Sequence, residues 1–383
     1  MKTVRLGDYI NEYCEKNKKG EDIPVYSVTN TNGFCTEYFS KDVSSKDKSN
    51  YKIVLKGYFA YNPSRINVGS VDWLRNEEKV IVSPLYNVFS VSPELDNQYL
   101  YYFLKSNMGK TLIKSKAEGS VRDNLKLSIL SEFPIPLPSI EQQRKFTTKI
   151  DKCNEIIKQH RLLLEKYDTL IKSRFIEMFG EPSENPKNWD IKPMGDLLSV
   201  LTDFSSNGSY KTLDSNVIMY DEPNYALMVR TTDLESGDFI NNVKWVDEKA
   251  YNLLAKSKVF GKEIIMNKIG SAGKVYLMPE LNRPVTLGRN AFLFRYKENI
   301  NSVYIYFLLT SEYGQNEIKP YIRGAVTKTI TKDDARKIRI PVPPISLQND
   351  FETLVHQIDK SKFEIWLYIN LCVIIERRVF VYD

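Results

Sequence analysis

The clearest hydrophobic pattern in the chain runs through residues 140–179, where apolar side chains recur at alternating intervals of four and three residues. This spacing is the heptad pattern of a helix that packs lengthwise against another helix, and His160 is expected to be a polar residue within that seam. A continuous helix of this length would extend roughly 60 Å at 1.5 Å per residue. The predicted seam consists of Phe146, Ile150, Cys153, Ile157, His160, Leu164, Tyr167, Ile171, Arg174 and Met178.

A long stretch of the chain is repeated. Shifting the sequence by 205 residues places Gly119 on Gly324 and Val121 on Val326. Two weaker matches lie upstream, 102–104 with 306–308 at a shift of 204 and 6–8 with 194–196. The chain is therefore predicted to contain a duplicated module. The identities that continue in the 205-residue register pair Ile135, Pro136, Pro138, Ile140, Gln143 and Phe146 with Ile340, Pro341, Pro343, Ile345, Gln348 and Phe351.

Each proline-rich segment of the repeat should be extended, and a long helix should begin directly after it. A proline restricts the residue before it to extended geometry, and Ser139 can cap the first of these helices. The second helix repeats the start of the seam, so pairing the two helices would bury both stripes. The first helix should end at Gly180, because residues 181–186 have the composition of a linker.

The rest of the chain carries short alternating apolar runs separated by Gly, Asn and Ser. Such runs are typical of strands in small antiparallel or curved sheets, and helices are expected near 97–108 and 301–312. The sequence therefore predicts an α+β protein with globular domains at 1–138 and 187–343. Long helices should occupy 139–180 and 344–383, with the linker at 181–186.

Composition and charge add little to the predicted architecture, but they narrow the kinds of partner, cysteine chemistry and cellular location to be expected. The chain of 383 residues has 54 Lys and Arg against 48 Asp and Glu, a net charge of +6, so contacts with a polyanion would come from patches on the folded domains. The four cysteines lie far apart without a C-x-x-C pair, which argues against a disulfide framework or a zinc site. The first residues lack an apolar signal core and no apolar run reaches bilayer length, so a cytoplasmic location is expected.

Motifs of the common DNA-acting enzymes are incomplete in this sequence. Residues 62–65 lack the second proline and the aromatic residue of an amino-methyltransferase motif, and residues 270–275 are too short for a phosphate-binding loop. Asp72, Glu77 and Lys79 loosely resemble a nuclease set, although a solvated charged turn is the simpler interpretation. We therefore predict a non-catalytic chain that binds no metal or cofactor itself. Two alternatives stay open: a self-sufficient nuclease or methyltransferase, and a coiled-coil scaffold that does not bind DNA.

Several loops carry the residue types that read DNA. Arg, Lys, Asn, Ser and Thr side chains donate hydrogen bonds to base edges and phosphates, and backbone amides also contact phosphates. Ordinary surface turns have a similar composition, so each loop is a hypothesis. The candidate DNA-binding residues are Asn62, Ser64, Arg65, Asn67, Gly119, Ser120, Arg122, Asn124, Lys268, Ser271, Lys274, Arg289, Asn290, Gly324, Thr327 and Lys328.

The ordered set of motifs resembles the specificity subunits of type I restriction–modification systems. The resemblance covers nearly the whole chain. It rests on the two proline-rich segments that lead into long helices, 135–143 and 340–348. Residues 59–69, 176–180 and 269–275 also look like family segments.

The resemblance implies two target-recognition domains, each reading half of a bipartite site in double-stranded DNA. They are separated by two long helices that form an antiparallel coiled coil, with a pseudo-two-fold internal repeat. The helices set the spacing of the half-sites and dock two modification subunits, which carry S-adenosylmethionine and methylate adenine. Restriction subunits add motor and nuclease activity that requires ATP and Mg. The implied docking and seam residues are Phe146, Ile150, Ile157, Leu164, Tyr167, Ile171, Met178, Phe351, Val355 and Ile358.

The carboxyl-terminal end departs from the family pattern. Residues 366–375 are apolar nearly all round, and the tail 379–383 resembles a strand. The helix end found at Phe179-Gly180 has no counterpart there. The departure falls in the helix that, by the resemblance, docks the second modification subunit.

Overall fold

The computed structural model describes residues 2–36, 47–117 and 124–378. It divides into two compact units, one formed by Met1–Leu163 with Glu364–Asp383 and the other by Leu164–Phe363. Each unit contains a globular α+β domain, called here domain 1 (residues 2–138) and domain 2 (residues 187–343), and part of each long helix. The predicted α+β class is confirmed. Among the described helices, none combines the length and the apolar character needed to cross a membrane.

In its described residues, domain 1 consists of short strands and three α-helices, and the first long helix follows it. Its strands are β1 (Thr3–Arg5), β2 (Ile10–Glu12), β3 (Ser27–Thr29), β4 (Gly33–Cys35), β5 (Lys52–Leu55), β6 (Phe59–Tyr61), β7 (Val71–Trp73), β8 (Lys79–Val82), β9 (Asn87–Val91) and β10 (Pro134–Pro136). Its helices are α1 (Asn97–Lys105), α2 (Asn107–Ala117) and α3 (Leu127–Leu130), and the long helix is α4 (Ile140–Phe179).

The described strands of domain 1 form an antiparallel sheet in the order β2-β9-β6-β7, with β3-β4, β5-β8 and β1-β10 as separate pairs. Strand β6 is buried on both faces, and Phe59 stacks on Phe89 at 5.1 Å between ring centroids. Helix α1 contributes Tyr99 and Phe103 to the same core. Burial of these aromatic side chains stabilises the packing of α1 on the sheet.

Domain 2 repeats part of this architecture, and the second long helix follows it. Its strands are β11 (Asp190–Pro193), β12 (Leu198–Asp203), β13 (Ala226–Val229), β14 (Lys244–Val246), β15 (Lys258–Val259), β16 (Ile264–Asn267), β17 (Val275–Leu277), β18 (Val285–Leu287), β19 (Ala291–Tyr296) and β20 (Arg339–Val342). Its helices are α5 (Met194–Leu197), α6 (Tyr210–Asn216), α7 (Thr231–Ser236), α8 (Glu248–Leu253), α9 (Ser302–Thr310), α10 (Glu312–Ile318) and α11 (Lys332–Arg336), followed by the long helix α12 (Ile345–Arg378).

One sheet and one strand pair of domain 1 have equivalents in domain 2. The order β12-β19-β16-β17 in domain 2 is equivalent to β2-β9-β6-β7, and the pair β11-β20 is equivalent to β1-β10. Domain 2 also has a mixed sheet, β14-β13-β18-β15, in which β13 and β18 run parallel. The sequence led us to expect antiparallel or curved sheets, so this parallel pair was not foreseen.

Matching hydrogen bonds confirm the internal repeat. The hydroxyl of Tyr99 donates to the carbonyl of Pro136, and that of Tyr304 donates to Pro341, both at 2.8 Å. These residues differ by 205 in number, so helices α1 and α9 follow the same register as the proline-rich segments. The predicted match of 102–104 with 306–308 at a shift of 204 is therefore wrong by one residue.

The helices expected near 97–108 and 301–312 are present, but each is followed by a second helix after a break at a serine. Ser106 and Ser311 both have extended backbone geometry, with ψ of 166° and 167°. In each case the serine hydroxyl accepts a hydrogen bond from a glycine amide three residues later. The serine thus caps the second helix, which is the usual role of that side chain.

The two long helices run antiparallel within the second unit. Asp168 on α4 pairs with Lys362 on α12 at 2.5 Å, and Phe175 on α4 lies 5.4 Å from Phe351 between ring centroids. In the first unit, the ring of His160 lies 5.9 Å from that of Tyr368. His160 therefore belongs to the seam, as its spacing predicted.

The predicted heptad seam fails at its carboxyl-terminal end. Arg174 is exposed and pairs with Glu177 at 2.6 Å, whereas Phe175 is buried. Here α4 packs on the core of domain 2 as well as on α12. The buried face therefore widens and follows the helical period of 3.6 residues instead of the strict heptad.

Candidate nucleic-acid interface

Three candidate loops of domain 2 lie together at one end of its sheet. Strands β16 and β19 are antiparallel and pair Asn267 with Ala291, so the loops at 267–274 and 288–290 leave the sheet side by side. The amide of Lys268 donates to the carbonyl of Asn290 at 2.9 Å. The amide of Gly270 donates to the carbonyl of Lys328 at the same distance, which adds the third loop.

The third loop is a hairpin, residues 323–329. Arg323 and Thr329 exchange backbone hydrogen bonds of 2.9 and 2.8 Å. Gly324 has a φ of +102°, and a Cβ atom there would lie 2.1 Å from the carbonyl oxygen of Thr327. A residue with a side chain would clash and be strained in this conformation, so the turn requires the glycine that the repeat had singled out.

A buried ion cluster lies beneath these loops. The carboxylate of Asp203, at the end of β12, lies 2.6 Å from Nζ of Lys268 and 2.7 Å from Nζ of Lys332. The hydroxyl of Ser206 donates to the same carboxylate at 2.7 Å. Burial raises the pKa of Asp203, but the hydrogen bonds from Lys268, Lys332 and Ser206 together outweigh burial and lower the pKa to about 2. The cluster therefore stays ionised and connects three segments that are distant in sequence.

The candidate residues of domain 2 differ in how accessible they are. The side chain of Lys268 is 13% exposed and occupied by Asp203, so it positions the loop and does not face solvent. Lys274 pairs with Glu235, and Arg289 pairs with Asp214 at 3.1 Å while lying over the ring of Phe204. The candidates Ser271, Asn290, Gly324, Thr327 and Lys328 are also exposed.

The candidate loop of domain 1 occupies the equivalent end of its sheet. Asn62 directly follows β6, as Lys268 follows β16, and the amide of Leu125 donates to the carbonyl of Pro63 at 3.1 Å. This bond brings Asn124 close to the 62–67 loop. Asn62 and Arg65 also line a cleft of about 360 Å³. The exposed candidates here are Ser64, Arg65, Asn67 and Asn124, while Gly119, Ser120 and Arg122 lie outside the described residues.

The three residues that loosely resembled a nuclease set do not form one. Asp72 is buried and paired with Arg75 at 2.7 Å, and it accepts a hydrogen bond from the amide of Phe34. Lys79 pairs with Glu21. Across 2–36, 47–117 and 124–378 there is no group of three or more His, Cys, Asp or Glu side chains arranged to hold a metal ion.

Sequence reasoning missed Asp203, Lys332 and Arg323. Arg323 closes the hairpin, and its side chain is 70% exposed and bonds Asp334 at 3.1 Å. The only local signal was the run Thr331 to Asp334, in which Thr331 caps helix α11. Nothing in the sequence indicates that Asp203 meets two lysines, since they are separated from it by long stretches of chain.

Comparisons with known proteins found several similar chains. The type I restriction enzyme MjaIX specificity subunit of Methanocaldococcus jannaschii is 27% identical over 280 residues, which cover 68% of this chain and 61% of that subunit. The MjaVIII specificity subunit of the same organism is 22% identical over 93% of this chain and 85% of its own length. A chain from a solved structure of a type I R-M system has a TM-score of 0.60 at 15% identity, covering 99% of this chain and 96% of that one, which supports the fold.

A family model supplies the assignment. The model of the type I restriction modification DNA specificity domain matches the chain twice, at residues 2–166 and 186–366. The two matches contain the two globular domains and the greater part of each long helix. The chain therefore belongs to the family of type I restriction–modification DNA specificity proteins.

Proposed function

We propose that this chain is the DNA-reading subunit of a type I restriction–modification complex. Domain 1 and domain 2 each read one half of a bipartite target, and the long helices set the number of unread base pairs between the halves. The observation that carries the proposal is the convergence of three polar loops at one end of the domain 2 sheet, with their exposed hydrogen-bonding side chains held on a rigid base. Base reading requires such donors and acceptors on a rigid support.

The chemistry of the complex is assigned to other subunits. Two modification subunits would carry S-adenosylmethionine, and restriction subunits would use ATP and Mg. The pairing of Asp72 with Arg75 argues against the alternative that this chain is itself a nuclease. The double match to a DNA specificity family argues against a scaffold without DNA binding.

Exposed apolar side chains on α12 support docking of a partner subunit. Within the first unit, the relative exposure of five such residues is between 48% and 60%. Apolar side chains grouped on a helix surface often mark a protein interface. They are Trp366, Leu367, Tyr368, Leu371 and Ile374.

The test is DNA binding by the complex of this chain with its modification subunits. The target is first identified by mapping methylated adenines in DNA from cells that contain both proteins. Affinity for that target, for a duplex with one half-site scrambled and for a random duplex is then measured at several salt concentrations. We expect the intact target to bind more tightly than random DNA by a factor on the order of 1,000 or more, as is typical of specific DNA-binding proteins. Equal affinity for all three duplexes would exclude the proposed function.

A further inference from the structure

An apolar side chain lies at the tip of the domain 2 hairpin, surrounded by polar residues. Val326 is 98% exposed, and its neighbours Thr327 and Lys328 are exposed as well. Single exposed apolar residues are common and need no explanation by themselves. Two further observations distinguish Val326: its position is fixed by the backbone, and a valine occupies the same position of the sequence repeat at Val121.

The backbone holds this tip rigidly. The hairpin is closed by Arg323 and Thr329, and its turn depends on Gly324. Two more backbone hydrogen bonds join it to the neighbouring loop, from Gly270 to Lys328 at 2.9 Å and from Ile330 to Lys268 at 3.1 Å. A tip fixed in this way loses little conformational entropy when it contacts a ligand.

The charge around the tip favours DNA over an apolar protein surface. The exposed side chains of Arg323 and Lys328 flank Val326, so the tip carries positive charge on both sides. Cationic side chains beside the tip match the phosphates that border a DNA groove. The nearby carboxylate of Asp334 is neutralised by Arg323 and Lys337, at 3.1 and 3.3 Å.

We propose that Val326 contacts the C5-methyl group of a thymine in the major groove of the half-site that domain 2 reads. The proposal rests on the proposed function. The thymine methyl is the apolar group that the major groove displays, and proteins recognise it with small apolar groups. A valine side chain ends at its two Cγ methyl groups, whereas the residues that wedge between base pairs are mostly longer. Contact with a methyl group therefore fits this tip better than intercalation.

The experiment uses the complex of the full chain with its modification subunits and the target found by methylation mapping. Each thymine of the half-site is replaced in turn by uracil, which lacks the methyl group. One replacement should weaken binding by about fourfold, the effect of burying one methyl group. Val326→Ala should weaken binding to the thymine duplex by a similar factor and remove the difference between thymine and uracil.

Ile240→Ala is the matched control, because Ile240 is also in domain 2, is 74% exposed and lies outside the hairpin. This variant should retain the difference between thymine and uracil. Two results would overturn the proposal: a wild-type complex that binds its target specifically but is insensitive to every uracil, or a Val326→Ala complex that still distinguishes thymine from uracil. A wild-type complex without any sequence preference would instead reject the proposed function itself.

Discussion

The carboxylate of Asp203 and the ammonium group of Lys268 lie 2.6 Å apart, and the two side chains are 7% and 13% exposed. Lys268 also connects two candidate loops through its backbone, since its amide bonds Asn290 and its carbonyl accepts from Ile330. The ion pair therefore fixes the point from which both loops extend. Its removal should change the shape of the candidate interface without removing any exposed residue from it.

Asp203→Asn should destabilise domain 2 by about 3 kcal/mol at pH 7, because it leaves Lys268 buried without a counter-charge. The pKa of Asp203 is about 2 in the folded protein and about 3.9 in an unfolded chain. The carboxylate therefore stabilises the fold fully above about pH 4, and this contribution is lost as the pH falls through about 2. Urea denaturation of both proteins between pH 7 and pH 2 should show their difference shrinking below pH 4.

The control for this prediction is Asp214→Asn, which removes a carboxylate that is 55% exposed and paired with Arg289. Exposed pairs contribute little, so its free energy of unfolding should stay within about 1 kcal/mol of the wild type. A stability difference between wild type and Asp203→Asn that is the same at pH 7 and pH 2 would show that the ionised form is not the stabilising one.

Gly324→Ala should impair recognition of the half-site read by domain 2. The new Cβ atom would lie 2.1 Å from the carbonyl oxygen of Thr327, so the hairpin must rearrange. Binding to the mapped target should weaken at least tenfold, on the order of one or two lost contacts. Gly270→Ala is the control: Gly270 also has a positive φ, but its Cβ atom would meet nothing within 4 Å. Similar losses in both variants would point to general backbone strain and not to the hairpin.

Lys328→Ala should lower the salt dependence of DNA binding. An exposed lysine that neutralises one phosphate releases about one counterion, so the negative slope of log K against log salt should decrease in magnitude by about 1 in the variant. Affinity for specific and random DNA should decrease together, because a phosphate contact carries no sequence information. Lys249→Ala, which removes an exposed lysine on helix α8, provides the comparison and should leave the slope as it is. Two equal slopes for wild type and Lys328→Ala would exclude the phosphate contact.

Gln143→Met and Gln348→Met, at the starts of α4 and α12, should each destabilise by about 3 kcal/mol the domain to which the glutamine is hydrogen-bonded. Each glutamine is fully buried, and its Oε1 accepts a hydrogen bond of 2.8 Å from the backbone amide of the residue before a helix. Gln143 accepts from Asp96, and Gln348 accepts from Asn301. Each glutamine side chain also donates to a carbonyl of the proline-rich segment before its helix, at 2.9 Å to Pro138 and 2.7 Å to Pro343. Methionine fills the space but leaves these groups unpaired.

The two domains have separate cores, so calorimetry should show two unfolding transitions. Gln143→Met should lower the midpoint temperature of the domain 1 transition, and Gln348→Met that of the domain 2 transition. Gln159→Met, on the exposed face of α4, should leave both transitions in place. If only one of the two variants were destabilising, the two glutamines would not contribute equally to stability. The repeat would then be a repeat of structure without an equal contribution of each proline-rich segment to the free energy of unfolding.

The elements that the sequence determined are those in which a short segment carries its own constraint. Pro136 and Pro341 restrict the residues before them to extended geometry. A periodic apolar stripe specifies a long helix that packs against another helix. The repeat at a shift of 205 residues therefore predicted two related domains, each followed by a proline-rich segment and a long helix. The order of these elements carried the resemblance to the specificity subunits, because that order can be read along the chain, and the family model then established the family.

The tertiary structure decided everything that depends on residues distant in sequence. Phe175 replaces Arg174 in the buried face of α4 because the core of domain 2 adds a second surface for the helix to pack against. Asp203 becomes the anchor of the candidate interface only because strands β12, β19 and β16 lie side by side and bring it to Lys268. A single sequence records the chemical groups, whereas the sheet determines which of them are close enough for an electrostatic interaction or a hydrogen bond to stabilise the fold.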